Sequence, residues 1–276
     1  MISDDYPDLK LTKGNESVFA SDILKGRVAL VTGGGGGIGF DIAASFARLG
    51  ANVVIASRSQ ERLDAAADTL RAEGLQVTVV QTDVRNYEDV ENAVVTAVQE
   101  YGSLDILVNN AAGNFVCPTA ELSPNGWKTV VDIDLNGTFY GCRAAYPHLK
   151  KSQHGGCVIS IATMLGLTGW PGAAHAGAAK AGIISLTRSL AVEWGGDNIR
   201  LNTISPGPIG DTEGVRRMYE ETGRGDLERK KTALGRFGKK ADIANAAVFL
   251  ASDLGGYITG ENLIVDGGRW LKYVAA

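Results

Sequence analysis

Thr32 to Gly39 reads TGGGGGIG, five consecutive glycines between the apolar run RVALVT, which begins at Arg27, and a segment with apolar residues at helical spacing. Glycines at the junction of a strand and a helix let the backbone turn tightly and approach a pyrophosphate without an intervening side chain. The helix end then adds free N–H groups and a partial positive charge. On this reading Gly33, Gly35, Gly36, Gly37 and Ile38 are candidate dinucleotide-binding residues. The alternative, a tight turn with no ligand, is opposed by the position of the motif in the first strand–helix–strand unit of the chain.

Outward from this turn, β-branched runs alternate with helical patterns. Strand candidates are RVALVT from Arg27, NVVIAS from Asn52, QVTVVQT from Gln76, DILVNN from Asp105, CVISI from Cys157, RLNTIS from Arg200 and NLIVDGG from Asn262. Helical spacing runs from Ile38 to Leu49, Gln60 to Glu73, Tyr87 to Tyr101, Trp127 to Leu149, Gly182 to Trp194 and Ala241 to Ala251. Strands that are apolar throughout and separated by helices belong to a parallel sheet covered on both faces. The predicted fold is therefore α/β: a single-domain, Rossmann-type, doubly wound parallel sheet of seven strands. Residues 1–25 read as a polar N-terminal extension to a domain at 26–276, and 206–240 as a long insertion of the kind that forms lids.

Composition narrows the function classes. The 276 residues are 45% apolar and 21% charged, with net charge −4, so nucleic acid is not expected as a partner. The three cysteines, Cys117, Cys142 and Cys157, lack CxxC spacing and suggest neither a disulfide framework nor a metal site. No run approaches the ~18 apolar residues of a membrane span, MISDDYPDLK has no apolar core of a leader, and the final YVAA is not a peroxisomal address. A cytoplasmic protein with no membrane partner is the expectation.

The second strand candidate ends Ala56-Ser57-Arg58, where an NAD-binding protein would place a carboxylate to accept from the ribose hydroxyls. An arginine beside a hydroxyl suits a 2′-phosphate, so NADPH is the expected cofactor, unless Arg58 is a solvated loop charge.

TGGGGGIG, Asp83-Val84, NNAAG from Asn109, the helical segment carrying Lys180 and Pro206-Gly207 together resemble the short-chain dehydrogenase/reductase family from about Lys25 to Trp270. The resemblance implies cofactor contacts at Asp83, Val84, Asn110, Lys180, Pro206 and Ile209. One departure stands out in GAAHAGAAKAG (Gly172–Gly182): the family's usual tyrosine, one turn before Lys180, is here Ala176. Within the family the chain looks most like 2,4-dienoyl-CoA reductases of the peroxisomal type, on the stretches Ala111–Phe139, His175–Gly182, Leu190–Arg200 and Pro206–Arg217. The mitochondrial type has a tyrosine where Leu165 stands. The peroxisomal type has neither tyrosine, and its aspartate–lysine pair falls on Asp134 and Lys180.

The loss has a chemical reason. Reducing a ketone creates an alkoxide at the hydride-accepting carbon, so an acid must sit beside that oxygen. In a conjugated dienoyl thioester, hydride adds to the distal end of the diene, charge moves to the thioester oxygen, and the proton goes to carbon. Asp134 and Lys180 are the expected catalytic pair, although Asp132-Ile133-Asp134 also reads as solvated helix charge. His175 is rotated ~100° from the face shared by Ala176 and Lys180 and reads as structural or substrate-lining. Thr163 is placed either to bond the thioester oxygen or to cap its turn.

The segment from Glu213 to Lys240 holds nine basic and five acidic residues, a local excess that could steer a CoA phosphate. By resemblance Arg85, Phe115, Arg216 and Arg217 touch the acyl-CoA substrate, and the helices Trp127–Leu149 and Gly182–Trp194 assemble a homotetramer. Two other readings stay open: a reductase of another conjugated thioester or enone, and an inactive nucleotide-binding paralogue.

Overall fold

The structure is a computed structural model that describes residues 19–274, without the side chains of residues 217, 218, 273 and 274. Its framework runs β1 (Val28–Thr32), α1 (Gly37–Arg48), β2 (Asn52–Ser57), α2 (Gln60–Ala72), β3 (Val77–Gln81), α3 (Tyr87–Tyr101), β4 (Ile106–Asn109), α4 (Pro124–Val131) and α5 (Gly137–Leu149). It continues with β5 (Gly156–Ile161), α6 (Ala174–Trp194), β6 (Ile199–Pro206), α7 (Glu213–Val215), α8 (Gly225–Lys230), α9 (Lys240–Ala251), β7 (Asn262–Val265) and α10 (Arg269–Val274). The described strands form one parallel sheet of seven in the order β3-β2-β1-β4-β5-β6-β7.

Every residue of β1 and β5 is buried, because helices cover both faces. Phe46, Leu63 and Val248 from α1, α2 and α9 fill one side, and Val94, Leu149 and Trp194 from α3, α5 and α6 fill the other. The chain starts at the centre, winds out to β3 and returns beside β1. The carboxyl ends of β1 and β4 consequently part at the switch point, where a doubly wound sheet opens a crevice.

Two helices differ from the sequence expectation. The helix expected from Trp127 begins at Pro124, whose preceding Ser123 side chain accepts from Gly126 N at 3.0 Å. It then widens into a π turn at Asp132–Asn136 before continuing as α5. The helix expected from Gly182 begins at Ala174. Its first turns are rich in Ala and Gly, which pack closely without an apolar stripe long enough to read as a period.

At the amino end, Leu24 is fully buried and its N–H bonds Leu49 O at 3.0 Å, so the core begins before residue 25. Residues 1–18 of the expected extension lie outside the described residues. The insertion at 206–240 carries α7, a π turn at Arg216–Glu220 and α8. Its ends are tied by Gly210 N to Gly238 O and Gly238 N to Pro208 O, both 2.9 Å.

Candidate active site

The glycines of TGGGGGIG divide into two groups. Gly33 has φ +67, and a Cβ there would stand 2.6 Å from Asn110 Nδ2; one on Gly39 would stand 2.5 Å from the Gly33 carbonyl oxygen. Those two serve the packing of the turn against α1 and β4. Gly36 and Gly37, the latter at φ +57, face open space with nothing within 4 Å. Gly36 makes no side-chain cap and the first turn of α1 holds no acid, so its leading N–H groups are available to an anion. Asn110 braces the turn from β4, donating to Thr32 O at 3.0 Å.

Beside the turn, a Cβ on Gly35 would meet Ser57 Oγ at 3.2 Å and Arg62 Cβ at 3.4 Å. Arg58 and Arg62 are both exposed here. Arg62 is a second basic residue that sequence reading missed; its signal was its place four residues after Arg58, in the first turn of α2. Asp83, just past β3, accepts from Arg85 Nε at 3.0 Å, and that bond holds its carboxyl below the ordinary carboxylate range. These residues fit a nicotinamide dinucleotide: open glycines and a helix end for the pyrophosphate, and a hydroxyl with two guanidinium groups for a phosphorylated ribose.

The π turn brings Asp134 to Lys180. Gly182 meets Leu135 of that turn so closely that a Cβ would lie 2.9 Å from Leu135 Cδ2, which allows α6 to approach. Lys180 Nζ stands 3.2 Å from Asp134 Oδ2 and donates to Ile161 O at 2.9 Å. Both side chains are buried, 6% and 1% exposed, so the DxD charges are not equivalent. Asp132 is tied to Lys128 at the surface, whereas Asp134 is internal. The other oxygen of Asp134 accepts from Gly113 N at 2.8 Å, fixing the loop after β4. An ammonium has three donors, so Lys180 keeps one for a ligand.

A cleft of about 340 Å³ opens above the sheet. Of the expected cofactor contacts, Ile38, Asn110, Lys180, Pro206 and Ile209 line it, whereas Asp83 and Val84 do not. Thr163 lines it too, with its Oγ accepting from Leu165 N at 2.9 Å. The hydroxyl thus caps its turn and still has a hydrogen to donate. Leu165 lies on the wall, while Ala176 is buried and does not. Asp134 is also absent from the wall, so it reaches the cleft only through Lys180.

Trp170, Tyr219 and Arg269 line the cleft and were not expected. Arg269, 3% exposed, pairs with Glu228 of α8 at 2.5 Å and sits 5.8 Å from the Trp170 ring and 5.9 Å from the Tyr219 ring. The three come from separate segments, the loop before α6, the insertion and the start of α10, and carry no periodic signal, which is why they escaped notice.

Other expected contacts fall elsewhere. Arg85 is occupied by Asp83, and Arg216 pairs with Glu221, both away from the cleft wall. The Arg217 side chain lies outside the described residues. Phe115 is 43% exposed, but its neighbours Asn114 and Val116 are the ones lining the cleft. Five basic residues of the insertion, Arg216, Arg229, Lys231, Arg236 and Lys240, are held in ion pairs. Four of the partners, Glu220, Glu221, Asp226 and Glu228, are already counted in the excess, so the local positive charge is only partly offset, by Asp41 and Asp242 from outside the segment. No described helix is long and apolar enough to cross a membrane.

Residues 33–269 match the family model described as enoyl-(acyl carrier protein) reductase. The chain belongs to the short-chain dehydrogenase/reductase family. It is 45% identical over 268 residues to the peroxisomal 2,4-dienoyl-CoA reductase [(3E)-enoyl-CoA-producing] of Arabidopsis thaliana, covering 93% of this chain and 89% of that one. It is 40% identical to the probable 2,4-dienoyl-CoA reductase [(2E)-enoyl-CoA-producing] of Bacillus subtilis, covering 90% and 98%. A solved putative short-chain alcohol dehydrogenase of Sinorhizobium meliloti superimposes with TM-score 0.85 at 36% identity, covering 90% and 97%. As a short-chain dehydrogenase/reductase the protein is an oxidoreductase that uses a nicotinamide cofactor.

Proposed function

We propose that the protein is an NADPH-dependent 2,4-dienoyl-CoA reductase that forms a 3-enoyl-CoA, acting as a cytoplasmic homotetramer. The observation that carries the reading is the surroundings of Lys180: apolar Leu165 and Ala173 beside it on the cleft wall, and, one turn earlier and buried behind that wall, Ala176 in place of a phenol. Such a wall suits charge that is delocalised and protonated on carbon better than an alkoxide needing an adjacent acid. The names of the relatives point to the same substrate class.

Gly36, Gly37 and the first turn of α1 would hold the pyrophosphate, Ser57, Arg58 and Arg62 the 2′-phosphate, and Lys180 the nicotinamide ribose. When bound, the reduced nicotinamide supplies hydride to the distal carbon of the diene. Lys180, oriented by Asp134 and Ile161 O, stabilises the negative charge that gathers toward the thioester oxygen. The Thr163 hydroxyl, two residues beyond the Ile161 carbonyl that holds Lys180, donates to that oxygen. A solvent-derived proton at the carbon next to the thioester then gives the 3-enoyl product; a proton two carbons further along would give the 2-enoyl isomer. Two electrons and two hydrogens are added and no bond of the thioester breaks. The insertion at about 206–240, which contributes Thr212, Val215 and Tyr219 to the wall, acts as the lid.

The test is product analysis with NADPH deuterated at the transferable position. Deuterium on the distal carbon together with a 3-enoyl double bond is the expected result. A 2-enoyl product would overturn the assignment of the protonation site, and faster turnover with NADH would overturn the role of Ser57, Arg58 and Arg62.

A further inference from the structure

His175 is fully buried, and among the described residues neither of its ring nitrogens has a hydrogen-bond partner. A neutral imidazole carries one donor and one acceptor, and leaving buried polar atoms unmade costs stability that a leucine at the same place would not. Residues that lower stability in this way concentrate where a ligand completes them.

The placement of the ring indicates which ligand. His175 lies in the first turn of α6, between Ala173 and Lys180, both on the cleft wall. Its Cα is ~7.5 Å along the helix axis from that of Lys180. It is covered by Phe115, with ring centroids 4.5 Å apart. Phe115 is itself flanked by two cleft-lining residues, Asn114 and Val116. The loop that carries it is fastened at Gly113, by Asp134, and at Cys117, whose N–H bonds Gly172 O at 2.9 Å. The three residues between those ties hold the cover. Phe115 also rests against Gly126, where a Cβ would come within 3.1 Å of Cζ.

We infer that His175 is a substrate-binding residue that donates a hydrogen bond to the carbonyl of a CoA thioester when Phe115 moves aside. The inference rests on the acyl-CoA reading above. It gives the thioester end of the substrate a further polar anchor, on the same helix as Lys180 and acting on the same oxygen as Lys180 and Thr163 in that reading.

The experiment compares binding of hexanoyl-CoA, which has the carbonyl, with its carbonyl-free thioether hexyl-CoA, by calorimetry on the NADPH-saturated protein. Wild type is expected to favour the thioester by about tenfold. His175→Leu is expected to bind both equally, with NADPH affinity unchanged, and to melt a few degrees higher without ligand because two unmade polar atoms are gone. His175→Asn, which keeps a donor in a smaller side chain, is expected to restore part of the preference. A leucine variant that keeps the tenfold preference overturns the inference while leaving the acyl-CoA reading intact. Wild type that binds neither compound overturns that reading, and this inference with it.

Discussion

Replacing Asp134 by alanine removes the only carboxylate that the described residues place on Lys180, at 3.2 Å and with both side chains buried. Breaking a buried ion pair by deleting one partner typically costs about 3–5 kcal/mol, because the remaining charge stays desolvated. Gly113 N also loses its acceptor. For a chain of this size each kcal/mol is worth roughly 2–4 °C, so the melting temperature should fall by roughly 10 °C. Since Asp134 acts on the cleft through Lys180, kcat with a dienoyl-CoA should drop by about a hundredfold or more. The NADPH dissociation constant should change far less. The decisive comparison is a thermal melt of Asp134→Ala beside Asp134→Ala/Lys180→Met. If the uncompensated ammonium is the source of the loss, the double variant is the more stable of the two. A double variant that falls by the sum of the single losses would refute the reasoning, as would a single variant with unchanged melting temperature and kcat.

Arg58→Ala should weaken NADPH binding by at least about tenfold and leave NADH nearly unaffected, read by fluorescence titration; equal loss for both would remove the 2′-phosphate contact. Ala176→Tyr should lose dienoyl reduction without gaining ketone reduction, because the added ring enters packed space rather than the cleft; wild-type dienoyl turnover by this variant would contradict the packing argument. Burial alone would raise Glu228, yet its bonds to Lys231 and Arg269 outweigh it and hold the carboxyl below its ordinary value. Its contribution is therefore complete above roughly pH 5 and lost as pH falls through the lowered value, so Glu228→Gln should show a shallower acid-side decline in melting temperature; parallel declines would refute this. Burial pushes the Cys142 thiol up to about 12, whereas Cys117 is partly exposed. Iodoacetamide at pH 8 should label Cys117 and spare Cys142 in the folded protein, as read by peptide mass spectrometry.

The sheet was legible because its signals are local and repeated. Each strand is an apolar run, each crossover a 3.6-residue period, and TGGGGGIG fixes where the first unit turns. Lys180 was legible from its motif, and the Asp134–Lys180 contact matches the pair that the resemblance implied. Less could be read where partners come from distant segments. Helical register sets His175 ~100° from the face shared by Ala176 and Lys180, but it could not show Phe115 lying across the imidazole. The basic excess of the insertion was counted with its own acids, yet a count within the segment is blind to Asp41 and Asp242 reaching its cations from α1 and α9. Arg85 looked available for substrate because its bond to Asp83 is a matter of local geometry. Trp170, Tyr219 and Arg269 converge from 170, 219 and 269, separations over which no pattern runs.

The most direct measurement of the central claim is the rate of NADPH oxidation with hexa-2,4-dienoyl-CoA, followed spectrophotometrically beside a 2-enoyl-CoA and a 3-ketoacyl-CoA of matched length. The expected result is turnover of the dienoyl thioester with a kcat/KM at least about a hundredfold above either of the others, since the ketone leaves its charge on the oxygen of the hydride-accepting carbon and the 2-enoyl chain has its accepting carbon two positions nearer the thioester. Turnover of the 3-ketoacyl thioester in preference to the dienoyl compound would contradict the claim that the site around Lys180, with Ala176 buried where a phenol would stand, is built for protonation on carbon.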